Sequence, residues 1–141
     1  MISSEKPLYT ELTRPVRTYD IDSAGIVSNI VYVRWLEDLR SELFKEVYSL
    51  EQMERSGIVP VVAATNVNYK RSVTLLEEVH SAMWAIKAGR SSLTFEAEFK
   101  VDDALVVGAT QTCVFVDLRE KKATPIPAAV REKVGSVGEV G

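Results

Sequence analysis

Reactive and metal-binding side chains are scarce in this chain. It has one cysteine, Cys113, and one histidine, His80. A single cysteine cannot close an internal disulfide, which fits a reducing compartment and sets the expectation of a cytoplasmic protein. A zinc site needs several imidazole or thiolate ligands, and this chain cannot assemble one. Asp20 and Asp22 alone are thin material for an oxygen-ligand cation site. No metal and no separate cofactor are therefore expected. No Gly-x-Ser-x-Gly turn exists to form a nucleophilic triad with His80. Long apolar runs are missing too: the longest uncharged stretch, from Ser56 up to Lys70, is too short for a membrane span. The opening Met-Ile-Ser-Ser-Glu-Lys-Pro has no apolar segment of the secretory kind, so no such signal is expected. Neither sign of charge dominates. Seventeen Lys and Arg against twenty Asp and Glu leave a net charge of −3, which gives no reason to expect nucleic acid or an anionic membrane as partner.

What is present suits one soluble globular unit. The 141 residues are 46% hydrophobic and 26% charged, ordinary values for a chain that can bury one core. No internal repeat, low-complexity segment or linker divides it. The reading is a single domain over 1–141, with about 1–8 and 135–141 flexible.

Residues 10–19 alternate loosely and read as a first strand, with Pro15 marking an edge or bulge. From Ser28 or Asn29 to about Tyr48, a stretch without Gly or Pro predicts one helix roughly 30 Å long. Arg34, Asp38, Ser41 or Glu42, and Lys45 form one charged stripe on it. Ile30, Val31, Val33, Trp35, Leu36, Leu39, Leu43, Phe44 and Val47 cover most of the remainder, so the helix is expected to be wrapped by other elements. Everything after Gly57 reads as strand: Val61 to Tyr69, Val79 to Lys87, Leu93 to Val101 and Leu105 to Leu118, with turns at Gly89 and at Asp102-Asp103. Leu93, Phe95, Ala97, Phe99 and Val101 carry the clearest two-residue period. The expected class is α+β, an antiparallel five-stranded sheet around one long central helix.

The most informative stretch is 19–40. Two carboxylates, Asp20 and Asp22, sit in a turn closed by Gly25, just before the long helix. That sets an acid beside unpaired backbone N–H groups and the positive end of a helix dipole. A carboxylate next to such an oxyanion site is a minimal kit for splitting an activated acyl group. The expected oxyanion donors are the N–H groups around Asn29 and Ile30.

This stretch also resembles a known family. Asp-x-Asp-x-x-Gly-Ile-Val, then Asn-x-x-Tyr, then Trp-Leu-Glu-x-x-Arg is similar to the signature of the 4-hydroxybenzoyl-CoA thioesterase family of hot-dog-fold acyl-CoA thioesterases. The match is dense over 16–44. It loosens to strand order and the Ser-Ser-Leu-Thr-Phe run at 91–95, and returns in Pro-Ile-Pro-x-x-x-Arg-Glu-Lys-Val at 125–134. The resemblance implies a hot-dog fold, a homodimer or homotetramer with sites at subunit interfaces, and hydrolysis of an acyl-CoA. It implies that Asp22 is the catalytic carboxylate, while Asp20 holds the turn. A thiolate leaves without a general acid, so the acid need only deliver a nucleophile, by direct attack giving a mixed anhydride or as general base for water.

Gly25, Tyr32, Arg71, Arg90 and Ser91 are the candidate substrate contacts, Arg90 being the first choice for a CoA phosphate with Lys70 and Arg71 behind it. Tyr32 and Trp35 equally suit a core or interface. Glu37 suits a surface pair with Arg34 or Arg40. His80 reads as structural, and Cys113 as a small buried hydrophobe. The Asp-Ile-Asp…Asn-Ile-Val-Tyr run also resembles plant acyl-ACP thioesterases, but their Asn-x-His would fall on Ala24 and Ile26. The rivals are an acyl-ACP thioesterase, a hydroxyacyl dehydratase, for which the helix start offers no His, and a non-catalytic acyl-binding module.

Overall fold

In a computed structural model, described here for residues 6–138, the elements run β1 (Thr10–Pro15), α1 (Asn29–Phe44), α2 (Leu50–Ser56), β2 (Ile58–Tyr69), β3 (Glu78–Ala88), β4 (Ser92–Val101), β5 (Ala104–Asp117), β6 (Lys122–Ala123) and α3 (Ala128–Val134). The long strands form one antiparallel sheet in the order β1-β3-β4-β5-β2. A sixth strand, the two-residue β6 paired to β5, adds to the five expected.

The strict alternation of β4 is explained by its place: it lies between β3 and β5, and Leu93, Phe95, Ala97, Phe99 and Val101 are all buried. Opposite them sit Val31, Tyr32, Trp35, Leu36, Leu39, Leu43 and Phe44 of α1, which share one core with the sheet. Phe44 meets Phe95 and Phe115 edge to face, and Tyr32 meets Phe99 in the same way. The α+β hot-dog arrangement is thus built by two apolar surfaces covering each other.

Three local expectations change. The regular helix stops at Phe44, about 24 Å from its start, although the chain stays coiled to Tyr48, whose N–H donates to the Phe44 carbonyl. Ser49 then opens α2 through a reciprocal cap with Gln52, and Gly57 closes it at φ +74°. The helix is also not wrapped all round. Ile30 and Val33 remain 59% and 44% exposed, because the sheet covers only the face of the helix turned toward it. Finally, Pro127 opens α3 where only strand was expected, and Val130 and Val134 bury into the core. Within the described residues of the two tails, the Pro7 and Val137 carbonyls accept from Ala85 and Ala88 N–H of β3; residues 1–5 and 139–141 lie outside them.

The two sheet edges differ. β1 carries Glu11, Arg14 and Pro15, the usual guards of an open edge. β2 runs twelve residues without a charge and is exposed along most of its length. A bulge at Ala63 shifts its register between Val62 and Ala64. The phase therefore breaks: Pro60 and Val62 share a face with Thr65, Val67 and Tyr69, whereas simple alternation would have put Val61 there.

Candidate active site

The acidic stretch forms a closed loop. Asp22 N–H donates to the Ile26 carbonyl, and Gly25 N–H returns to that of Asp22. Ile21 bridges Val27, and Ser28 N–H reaches the Asp20 carbonyl. Gly25 sits at φ +80° in open space, a turn-closing conformation that a side chain would strain.

The two carboxylates are used differently. Asp20 is buried, 7% exposed, and its Oδ2 accepts from Arg17 N–H at 2.8 Å. Asp22 is exposed, and only its Oδ1 is engaged locally, by Ala24 N–H at 2.8 Å. Its second oxygen has no protein partner among the described residues, so the side chain can meet a ligand.

Six residues later Ser28 caps α1 with its backbone, its hydroxyl making no cap hydrogen bond. Asn29 is thus the first helical residue and its side chain is exposed. The Asn29 and Ile30 N–H groups have no intrahelical acceptor. Val27 N–H donates to the Val73 carbonyl and Ile26 bridges Thr74, tying the helix start to the segment after β2. Between them lies a pocket of about 230 Å³, lined among others by Asn29, Tyr32, Tyr69, Lys70, Arg71 and Ser72.

Arg71 is already engaged. It donates to Glu77 Oε2 at 3.1 Å and to the Ser72 carbonyl at 2.7 Å, while Glu77 also accepts from Thr74 N–H. These bonds hold the Glu77 carboxyl below its ordinary range, the Arg71 hydrogen bond most of all. Tyr32 is 2% exposed. Burial pushes its hydroxyl up to about 12, with Tyr69 adding to the shift and Arg71 opposing it, so it is a hydrogen-bond donor at neutral pH.

Asp22, Gly25, Asn29, Ile30, Tyr32 and Arg71 therefore gather at one end of the sheet. Arg90 and Ser91 do not. Pro15 pairs with Glu78 at the start of β3, whereas Arg90 follows the end of β3, roughly 30 Å away along the strand. Glu37 is exposed, and neither Arg34 nor Arg40 is its ion-pair partner. His80 is exposed and bonds Thr13 at 2.9 Å. Cys113 is fully buried, which pushes its thiol up.

A second cavity, of about 680 Å³, opens beside the other half of α1, between that helix, α2 and the start of β2. Sequence reasoning did not find it. Arg40 lines it and donates to Gln111 Oε1, and Gln111 Nε2 donates to Thr65 Oγ1 at 3.1 Å. Two signals were available: Arg40 stands four residues after Leu36 and four before Phe44, inside the apolar stripe. Gln111 interrupts the inward series Val107, Ala109, Cys113, Phe115.

A family model described as the thioesterase-like superfamily matches residues 16–134. The long-chain acyl-CoA thioesterase FadM of Escherichia coli (strain K12) is 28% identical over 121 residues, covering 84% of this chain and 92% of the relative. A thioesterase from Thermus thermophilus, solved with coenzyme A and zinc, is 27% identical with a TM-score of 0.77, covering 92% of this chain and 93% of its own. The DHNA-CoA thioesterase of Staphylococcus aureus superposes with a TM-score of 0.75 over 83% of this chain and 80% of its own; at 24% identity it speaks for the fold.

Proposed function

The chain belongs to the thioesterase-like superfamily, and from that premise we propose that it hydrolyses acyl-CoA thioesters to the free acid and CoA, with Asp22 as the catalytic carboxylate. The observation that carries this is the pairing of an exposed, half-engaged carboxylate with a helix start whose N–H groups are open. The long-chain acyl-CoA thioesterase relative and the CoA-bound one support the thioester class.

The thioester carbonyl oxygen lies against the Asn29 and Ile30 N–H groups, where the helix dipole favours the charge that develops on it. Asp22 then attacks the carbonyl carbon, or removes a proton from a water that does. The C–S bond breaks and CoA leaves as the thiolate, whose own acidity makes a general acid unnecessary. In the first route water then splits the mixed anhydride and frees Asp22. Lys70 and Arg71 lie beside the small pocket and supply positive charge for the CoA phosphates. No metal or cofactor takes part, and the compartment is the cytoplasm.

The working unit is a homodimer, itself able to pair into a tetramer. An uncharged twelve-residue edge is an aggregation template unless another strand covers it, and a second copy of β2 fits it antiparallel about a two-fold axis. That axis brings opposite ends of the two sheets together, so Arg90 and Ser91 come from the partner subunit toward Asp22.

The test is release of free thiol from short-chain, long-chain and aromatic acyl-CoAs by purified protein. Turnover of at least one class is expected; a protein that binds acyl-CoAs and hydrolyses none is an acyl-binding module instead.

A further inference from the structure

The Arg40–Gln111–Thr65 chain has no part in the chemistry above, and it is costly to keep. Gln111 is 3% exposed inside an otherwise apolar face of β5, where a polar side chain is tolerated only when bonded. Arg40 supplies one bond and Thr65 the other. Arg40 itself has five N–H donors on a rigid fork, and Gln111 fixes its orientation. It is half-buried, and among the described residues no carboxylate pairs with it, although Glu37 and Glu42 line the same cavity. The remaining donors belong to a cation held in place at a cavity of about 680 Å³.

Position says what that cavity is next to. Val59 and Pro60 line it at the start of β2, while Tyr69 lines the small pocket at the end of β2. Antiparallel pairing of two β2 strands about a two-fold axis sets unlike ends side by side. The large cavity of one subunit then adjoins the thioester end of the other. An acyl group bound at the helix start of one subunit points its distal end toward Arg40 of the partner subunit.

We propose that Arg40, oriented by Gln111 and Thr65, recognises an oxygen acceptor at the distal end of the acyl group, so that the preferred substrates are acyl-CoAs with a polar, uncharged tail. This rests on the thioesterase reading and on the β2-paired dimer. Charge selects neutral over anionic: with Asp38 paired to Arg14, the cavity lining still holds Glu37, Glu42 and Glu51 against Arg40 and Lys45, and the excess of carboxylates disfavours a tail carboxylate. A hydroxyl or carbonyl oxygen takes the guanidinium hydrogen bond without that penalty. An alkyl tail leaves the desolvated donors unpaired, the kind of mismatch that discriminates strongly.

The experiment compares kcat and KM for octanoyl-CoA and its ω-hydroxyl and ω-carboxyl analogues. Wild type is expected to favour the ω-hydroxyl analogue by about tenfold or more in kcat/KM, mostly through KM. In Arg40→Met the ratio of ω-hydroxyl to octanoyl should collapse toward one, with light scattering confirming an unchanged dimer. Should that variant misfold, Thr65→Val, which frees Gln111 and loosens Arg40, must lower the same ratio. An unchanged ratio in a folded variant, or a wild type that prefers octanoyl-CoA or the carboxylate, overturns this proposal alone. Wild type that hydrolyses none of the three or any other acyl-CoA overturns the thioesterase reading with it.

Discussion

The two halves of α1 solve opposite problems. At its start, the side-chain charges are already settled: Arg71 is held by Glu77 and Asp20 by the Arg17 N–H, and what stays open is backbone, the Asn29 and Ile30 N–H groups, with the Asp22 carboxylate exposed on the loop that leads into them. In the second half the backbone is satisfied within the helix, and what stays open is a side chain, the Arg40 guanidinium. Backbone donors persist through every substitution except proline and suit a chemistry that every substrate shares. A side chain can be exchanged without disturbing the fold around the reaction, and suits what differs between substrates. On the proposed reading, one end serves the thioester and the other the acyl group.

The largest effect expected from this division is at Asp22. Asp22→Asn should leave the fold intact, because Asn can still accept from Ala24 N–H, and should lower kcat by at least about 10²-fold, as for loss of a base or nucleophile. Steady-state kinetics with any hydrolysed acyl-CoA reads this, and near-wild-type turnover would remove the chemistry from this end of the helix.

Next in size is the edge that joins the two ends. Lysines at Val61 and Val62 together should hold β2 edges apart. Light scattering should then show a monomer, and activity at assay concentration should fall about tenfold or more, since a site assembled from two subunits loses its positioning. A fully active monomer would mean that both ends of α1 serve one chain alone.

The third effect tests how dry the thioester end is. The Tyr32 hydroxyl is raised to about 12 from an ordinary value of about 10 in the unfolded chain. Folding therefore opposes its ionisation. The stabilisation is complete below pH 10 and is lost as pH rises from 10 through 12, by about 2–3 kcal/mol in all. Urea titrations should show wild type losing that much more than Tyr32→Phe over the interval. Equal losses would mean that water reaches the hydroxyl, and that the pocket is wetter than the packing of Tyr69, Trp35 and Phe99 around it implies.

How much of this was legible in the sequence follows the same division. The acidic turn, the helix start and the β4 alternation were readable because each is local: a cap, a glycine and a two-residue period need no distant partner. Asp20 is buried and Asp22 exposed, a contrast that suits the different roles expected of them. Arg40 and Gln111 each break a local apolar pattern, but they are 71 residues apart, and only their pairing across the fold gives the two breaks a meaning. Arg90 and Ser91 were expected near Asp22 in a cleft shared by two subunits; within one subunit strand direction sends them to the opposite end of the sheet, so only a partner can supply them. The bulge at Ala63 was invisible for a similar reason, since it is set by pairing with β5 and not by the composition of β2.

A smaller effect is expected where Asp20 supports the turn. Asn at this position keeps an acceptor for Arg17 N–H but gives up the charge, so Asp20→Asn should lose about 1 kcal/mol of stability, with turnover changed by less than about threefold. Chemical denaturation and steady-state kinetics on the same preparation separate the two. A rate loss as large as that of Asp22→Asn, at small cost in stability, would make Asp20 part of the chemistry and end the distinction between them.

The smallest effect, none, is expected from removing metal ions. Among the described residues no three His, Cys, Asp or Glu side chains stand close enough to share an ion. His80 is on β3, bonded to Thr13, and the Cys113 thiol is buried under the helix face of β5, where burial holds it protonated. At the thioester end the carboxylates are Asp20, closed off, Asp22, open, and Glu77, held by Arg71. One open carboxylate is too few to retain a dication against water, and in the proposed mechanism backbone N–H groups meet the charge that a metal would otherwise stabilise on the carbonyl oxygen. Hydrolysis should therefore proceed at the same rate in excess EDTA. Activity that disappears with chelator and returns with a divalent cation would show that Asp22 acts as a ligand, and the start of α1 would have to be read as a metal site rather than as an oxyanion hole beside a base.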